Sequence, residues 1–99
     1  MNKVFSVSLA DSAVRDLEEI REYYEAQLVP EVGRSLIAEI IAAIKELSRF
    51  PDRGRVVPEF NQPLLRELIH PPFRIVYRRD AARVRIVRVW RSERLLQLP

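Results

Sequence analysis

Phe73-Arg74-Ile75-Val76-Tyr77-Arg78, then Arg79-Asp80-Ala81-Ala82, then Arg83-Val84-Arg85-Ile86-Val87-Arg88-Val89-Trp90 run on without a break, and their alternation decides the fold. Successive side chains of a strand point to opposite faces, so Phe73, Ile75 and Tyr77 share one side while Arg74, Val76 and Arg78 share the other. The link between the two stretches is short enough for a hairpin loop, which makes them antiparallel. In the second stretch the phase switches: Val84 and Ile86 fall on one face, Val87 and Val89 on the other. A strand covered on both sides, or a bulge near Val87, accounts for the switch.

Upstream, Leu64 to Ile69 is bounded by Pro63 and Pro71-Pro72 and reads as a third strand. Asp52-Arg53-Gly54-Arg55 is a turn, and Val56 to Pro63 is a loop or irregular edge because Pro58 and Pro63 forbid a regular central strand. Before the turn come two amphipathic helices. In the first, Ala13, Leu17, Ile20, Tyr24 and Leu28 recur every three or four residues, with Arg15, Asp16, Glu18, Glu19, Arg21, Glu22 and Glu25 on a solvated face, and the pattern ends near Val29. Pro30-Glu31 opens the second, whose Val32, Leu36, Ile37, Ile40, Ile41, Ile44 and Leu47 form a broad apolar face, and Phe50-Pro51 stops it. So short a link as Val29-Pro30 requires an antiparallel helical hairpin. Ser8-Leu9-Ala10-Asp11 reads as a capping box for the first helix, and Lys3 to Val7 as a short N-terminal strand. The expected fold is therefore α+β, in the order β-α-α-β-β-β: an N-terminal strand and an antiparallel helical hairpin packed on a mostly antiparallel three- to four-stranded sheet. Two helices cannot cover both faces of a sheet, and the uncovered part is where function is expected.

Length and composition narrow the functional classes. Ninety-nine residues, 47% hydrophobic and 31% charged, make a single domain over 1–99. With no cysteine and only His70, disulfides, thiolate zinc sites, iron–sulfur clusters and histidine-rich metal sites are excluded, and no cofactor is expected. The start of the chain lacks the apolar block of about 7–15 residues that a signal peptide needs, and nothing approaches a membrane span of about 20, so a cytoplasmic protein is expected. Charge is polarised along the chain. Residues 1–49 carry six basic side chains against nine carboxylates, a balance of −3; residues 50–99 carry eleven arginines against five carboxylates, a balance of +6. Arginine makes bidentate contacts to phosphate and carboxylate, so the second half suits an acidic partner or a nucleic acid.

Several stretches together resemble the RelE/ParE superfamily of toxins of type II toxin–antitoxin systems. They are Ala13-Val14-Arg15-Asp16-Leu17-Glu18-Glu19-Ile20 with Tyr23-Tyr24, the Phe50-Pro51 stop, Gly54-Arg55 with Pro58-Glu59, Leu65-Arg66-Glu67-Leu68, Phe73-Arg74-Ile75-Val76-Tyr77-Arg78 and Ile86-Val87-Arg88-Val89-Trp90. The resemblance implies a cognate antitoxin protein that wraps the toxin in a hetero-oligomer, and an acidic amphipathic segment would fit a broad apolar helix face and a basic sheet. It also implies one of two activities. ParE-like members poison DNA gyrase by binding; RelE-like members are metal-independent endoribonucleases that cut ribosome-bound mRNA.

Metal-free RNA cleavage needs a base for the 2′-hydroxyl, an acid for the leaving oxygen and cations on the phosphorane. For that reaction Arg66, Arg74 and Arg91 are the candidate phosphate-holding residues, with Glu59 or His70 as proton carriers. Each has a structural alternative: Glu59 in a salt bridge to Arg55 or Arg53, Arg66 and Arg74 in a lattice with Glu67 and Glu93, and His70 as an ordinary strand-end histidine. Tyr77 is expected in the core, and Trp90 suits either core or contact surface. Nuclease relatives carry a histidine or tyrosine beyond the last strand, where this chain has Trp90-Arg91-Ser92-Glu93-Arg94 and no tyrosine after Tyr77. The general acid is thus missing, which places gyrase inhibition ahead of RNA cleavage, with a non-toxic RNA-binding or regulatory module as a third reading.

Overall fold

A computed structural model describes residues 4–92. The elements run β1 (Ser6–Leu9), α1 (Asp11–Ala26), α2 (Pro30–Glu46), β2 (Arg55–Val56), β3 (Leu65–His70), β4 (Phe73–Arg79) and β5 (Arg83–Arg91). They form one sheet of five strands in the order β1-β5-β4-β3-β2, antiparallel throughout except that β1 runs parallel to β5.

The central hairpin is as its alternation demands. Asp80 Oδ1 accepts from the amides of Ala82 and Arg83 at 2.8 and 2.7 Å, an Asx turn that reverses the chain between β4 and β5. These two amides hold the Asp80 carboxyl below its usual range. Val76 faces Arg88 and Tyr77 faces Ile86, so Val87 is the extra residue of a β-bulge. The strand is also covered on both sides, so both explanations of the phase switch hold. Val84, Ile86 and Val89 enter the main core beneath the helices, while Val87 joins Val57, Leu65 and Val76 in a second, smaller cluster on the outer face.

The main core gathers Ala13 and Ile20 of α1, Ile40, Ile44 and Leu47 of α2 and its end, and Phe73, Ile75 and Tyr77 of β4. Each of the buried Ile, Leu and Phe side chains contributes about 1.5–3 kcal/mol by leaving water. The two helices approach closely at Gly33, where a Cβ would come within 2.9 Å of Tyr24 Cβ.

The N-terminal region departs from expectation. The strand lies at Ser6–Leu9 rather than at residues 3–7, and Lys3 is outside the described residues. Ser8 and Leu9 are strand residues in parallel register with Arg85 and Ile86, so the capping box does not form. Ala10 is the N-cap, without a side-chain cap. Pairing along β5 outweighs a cap worth about 1 kcal/mol. The first helix also stops earlier than its stripe suggests. Leu28 has left the helix with φ 63° and is 86% exposed, and the turn it makes leads into Pro30 at the first position of α2. Finally, Arg55–Val56, expected as turn and loop, pairs with Glu67 and Arg66 as a two-residue edge strand. So short an edge offers little template for unwanted pairing.

The opposite edge is closed by side chains. Beyond Leu9, β1 no longer covers β5, and α1 takes over. Ser12 Oγ donates to the Val87 carbonyl at 2.6 Å, and Asp16 Oδ2 accepts from the Val89 amide at 2.9 Å. Ser12 and Asp16 are one helical turn apart, which is why one face of α1 can reach alternate residues of the strand.

Candidate functional site

The outer face of the sheet divides into two halves. One half is an ionic chain. Arg74 Nη1 and Nη2 donate to the two Glu59 oxygens at 2.7 and 2.8 Å, Arg74 Nε donates to Glu67 Oε1 at 2.6 Å, and Arg55 Nε donates to Glu67 Oε2 at 2.8 Å. Two guanidinium and two carboxylate groups alternate, so the chain is neutral. The Glu67 side chain is 0% exposed and that of Arg74 9%, whereas Glu59 keeps 40%. The bidentate Arg74 contact holds the Glu59 carboxyl down to about 2. Pro58-Glu59 is placed by the segment after β2, anchored by the Val57 amide on the Leu65 carbonyl and by Val57 itself in the outer cluster.

The other half, toward the β4–β5 turn, is open. Arg78 of β4 and Arg85 of β5 stand directly opposite each other, both exposed, with Arg83 and Ser8 beside them. Arg83 pairs with Asp80 at 3.3 Å, and Arg85 reaches only Ser8 Oγ, at 3.4 Å.

The remaining candidate residues lie elsewhere. Arg66 faces the helix side opposite Tyr77, donates to the Gly54 carbonyl at 3.0 Å and pairs with Asp52 at 3.5 Å. It does not pair with Glu67, as a surface lattice would have it, and Glu93 and Arg94 are outside the described residues. Arg91, opposite Phe73, lies 5.8 Å from the ring centres of Phe73 and Tyr23 on the helix side. His70 ends β3 with Nε2 3.8 Å from Glu39 of α2. The structure thus brings Glu59 and Arg74 together on one face and keeps Arg66, Arg91 and His70 on the other. Tyr77 is a core residue, as expected: its hydroxyl donates to the Pro51 carbonyl at 2.7 Å and accepts from the Gly54 amide at 3.0 Å, and burial pushes it above the usual phenol range.

One clasp was not legible in the helical pattern. Asp16, assigned there to the solvated face of α1, is buried and takes Arg88 Nε and Nη2 at 2.8 and 2.9 Å. The Arg88 guanidinium in turn lies 4.2 Å from the Trp90 ring centre. Asp16, Arg88, Trp90, Tyr23 and Phe73 line a cleft of about 350 Å³ between α1 and the end of β5. The phase break at Val87 sets Arg88 opposite Val76 on the outer face, and Arg88 meets Asp16 around the bare edge of β5. Among the described residues there is no cluster of His, Cys, Asp and Glu able to hold a metal ion, and no helix long and apolar enough to cross a membrane.

The family described as the ParE toxin of type II toxin–antitoxin systems (parDE) matches residues 7–96. The chain belongs to this family. Among solved structures, this ParE-family toxin is similar to the chromosomal ParDE toxin–antitoxin system from P. aeruginosa, with TM-score 0.77 and 24% identity over 93% of this chain and 100% of that one. It is also similar to the RelBE2 toxin–antitoxin complex from Mycobacterium tuberculosis, with TM-score 0.62 and 24% identity over 91% of this chain and 94% of that one. At that identity the two structures establish the shared α+β fold, a helical hairpin on an open sheet. No curated protein matches the ParE-family chain in sequence.

Proposed function

We propose that this ParE-family toxin acts by capturing DNA gyrase rather than by cutting RNA, and that a cognate antitoxin neutralises it by occupying its surfaces. The observation that carries the reading is the Glu59–Arg74–Glu67 arrangement. A carboxylate held at about 2 is a poor proton acceptor at neutral pH, because a general base works best when its pKa lies near the operating pH. Arg74 gives Nε and both terminal nitrogens to carboxylates, so its charge is already matched before any phosphate arrives. The two residues best placed for RNA cleavage therefore cancel each other, and His70 and Arg66 stand across the sheet from them.

An antitoxin partner is supported by the two similar structures, both of toxin–antitoxin systems, and by the surface itself. Val14 and Tyr23 on α1 and Val32 on α2 remain exposed, and Trp90 Nε1 is buried without an acceptor among the described residues. A peptide segment laid there would bury the former and supply a carbonyl to the latter.

The deciding experiment sets the purified chain against gyrase with supercoiled plasmid and, in parallel, against translating ribosomes. The expected result is gyrase-dependent, protein-linked linear plasmid with intact mRNA. Ribosome-dependent cleavage within codons, with gyrase unaffected, would overturn the reading in favour of the RelE-like nuclease.

A further inference from the structure

Arg78 and Arg85 form a cross-strand pair of like charge, an arrangement that destabilises a sheet because the two side chains project from adjacent strands on one face. Within the sheet, Arg74 is matched by Glu59 and Glu67, Arg88 by Asp16 and Arg79 by Asp52. Among the described residues, Arg78 and Arg85 have no carboxylate partner, and Arg83 beside them shares Asp80 with the turn amides. The repulsion is thus local, on an exposed rim whose groove is lined further by Ser8, Leu64, Arg79, Arg83 and Asp80, the last already engaged by Arg83 and by the turn amides.

We propose that this rim, Arg78 and Arg85 flanked by Arg83 and Ser8, is a binding site for the phosphate backbone of duplex DNA. The inference goes beyond the gyrase reading and does not depend on it. The open groove that these residues line has a volume of about 440 Å³, with Leu64 as its apolar wall. Planar guanidinium groups on neighbouring strands present paired donors to successive phosphate oxygens, and the charge they carry matches a polyanion. A duplex is favoured over a single strand because single-strand sites need aromatic platforms for unstacked bases. The groove has none among the described residues; Trp90, Tyr23 and Phe73 gather in the cleft at the far end of β5. A backbone-only site reads no sequence, so binding is expected to be sequence-independent and salt-sensitive.

The test is fluorescence anisotropy with the full chain, a labelled duplex DNA, a single-stranded RNA of the same sequence and an oligoglutamate peptide, repeated across salt concentrations. With Arg78→Gln and Arg85→Gln together, two phosphate contacts are lost. The slope of log K against log salt should flatten by about 1.8, so that between about 50 and 200 mM salt the wild type loses about 12-fold more affinity than the variant. The variant should unfold at or above the wild-type midpoint, since it relieves a repulsion. Arg78→Lys with Arg85→Lys, which keeps both charges, should retain the wild-type slope. An unchanged slope in the glutamine variant, a lysine variant that behaves like it, or tighter binding to the RNA or the peptide than to the duplex would overturn the proposal. Gyrase inhibition by the same preparations is scored separately. Wild-type protein that binds the duplex but leaves gyrase uninhibited sinks the gyrase reading and leaves the rim standing as a DNA site.

Discussion

Replacing Arg74 by alanine is expected to abolish toxicity by unfolding the protein, not by removing a working group. The cost falls mainly on Glu67, whose side chain is 0% exposed and would keep only Arg55, itself 60% exposed, as a counter-charge. Glu59, 40% exposed, can turn to water and loses little. Breaking a buried pair from one side costs about 3–5 kcal/mol, and the surviving Arg55 contact puts this case near about 3. A domain of this size has a total stability of about 5–15 kcal/mol, and each kcal/mol moves its midpoint by about 4–8 °C. Thermal unfolding of Arg74→Ala should therefore show a Tm lower by about 12–24 °C, with growth arrest lost in step. The double variant Arg74→Met with Glu67→Gln leaves no buried charge unpaired and should recover most of the loss. An Arg74→Ala protein that melts with the wild type yet no longer arrests growth would refute this account and make Arg74 a contact to the target.

Four further outcomes can be checked. Because the folded pKa of Glu59 is depressed, its contribution is complete above the unfolded value of 4.5 and is lost as pH falls toward about 2. Urea titrations should show Glu59→Gln flattening that acid limb by about 1–2 kcal/mol, allowing for screening of an exposed group. Gly54→Ala places a methyl group 2.6 Å from the Glu67 carbonyl oxygen and 2.8 Å from the Tyr77 hydroxyl, so chemical denaturation should reveal a loss of about 1–3 kcal/mol. Asp16→Ala removes the acceptor for Arg88 and for the Val89 amide and should cost about 3 kcal/mol, with faster hydrogen exchange at Val89 as its local signature. Leu28→Gly, at an exposed left-handed position, should raise stability by about 0.5–1 kcal/mol in the same denaturation assay.

The helical hairpin and the β4–β5 pair were readable because their determinants are local. Periodicity shows which side of a helix is apolar, and Val87 breaking the alternation marks the bulge residue where the pairing slips. What escaped reading depends on partners far apart in the chain. Ser8-Leu9-Ala10-Asp11 has the composition of a cap, and only the presence of β5 makes it a strand end. Asp16 looks like any acidic residue on a wet helix face until Arg88 and the bare edge of β5 arrive beside it. Glu59 was expected to pair with a neighbour in sequence, Arg55 or Arg53. Arg74 captures it instead because the chain after β2 folds back over the outer face, and Arg53 pairs with Glu46. The family resemblance marked Glu59 and Arg74 as a candidate reactive set, and the structure joins the two at bidentate distance.

The parallel pairing of β1 with β5 has a consequence for biosynthesis. The first strand made can find its partner only after Arg83–Ile86 has left the ribosome, whereas the helical hairpin can form long before. Until then the outer arginines have no finished platform. The sheet is therefore completed last, and a partner already present has the interval of synthesis in which to be ready.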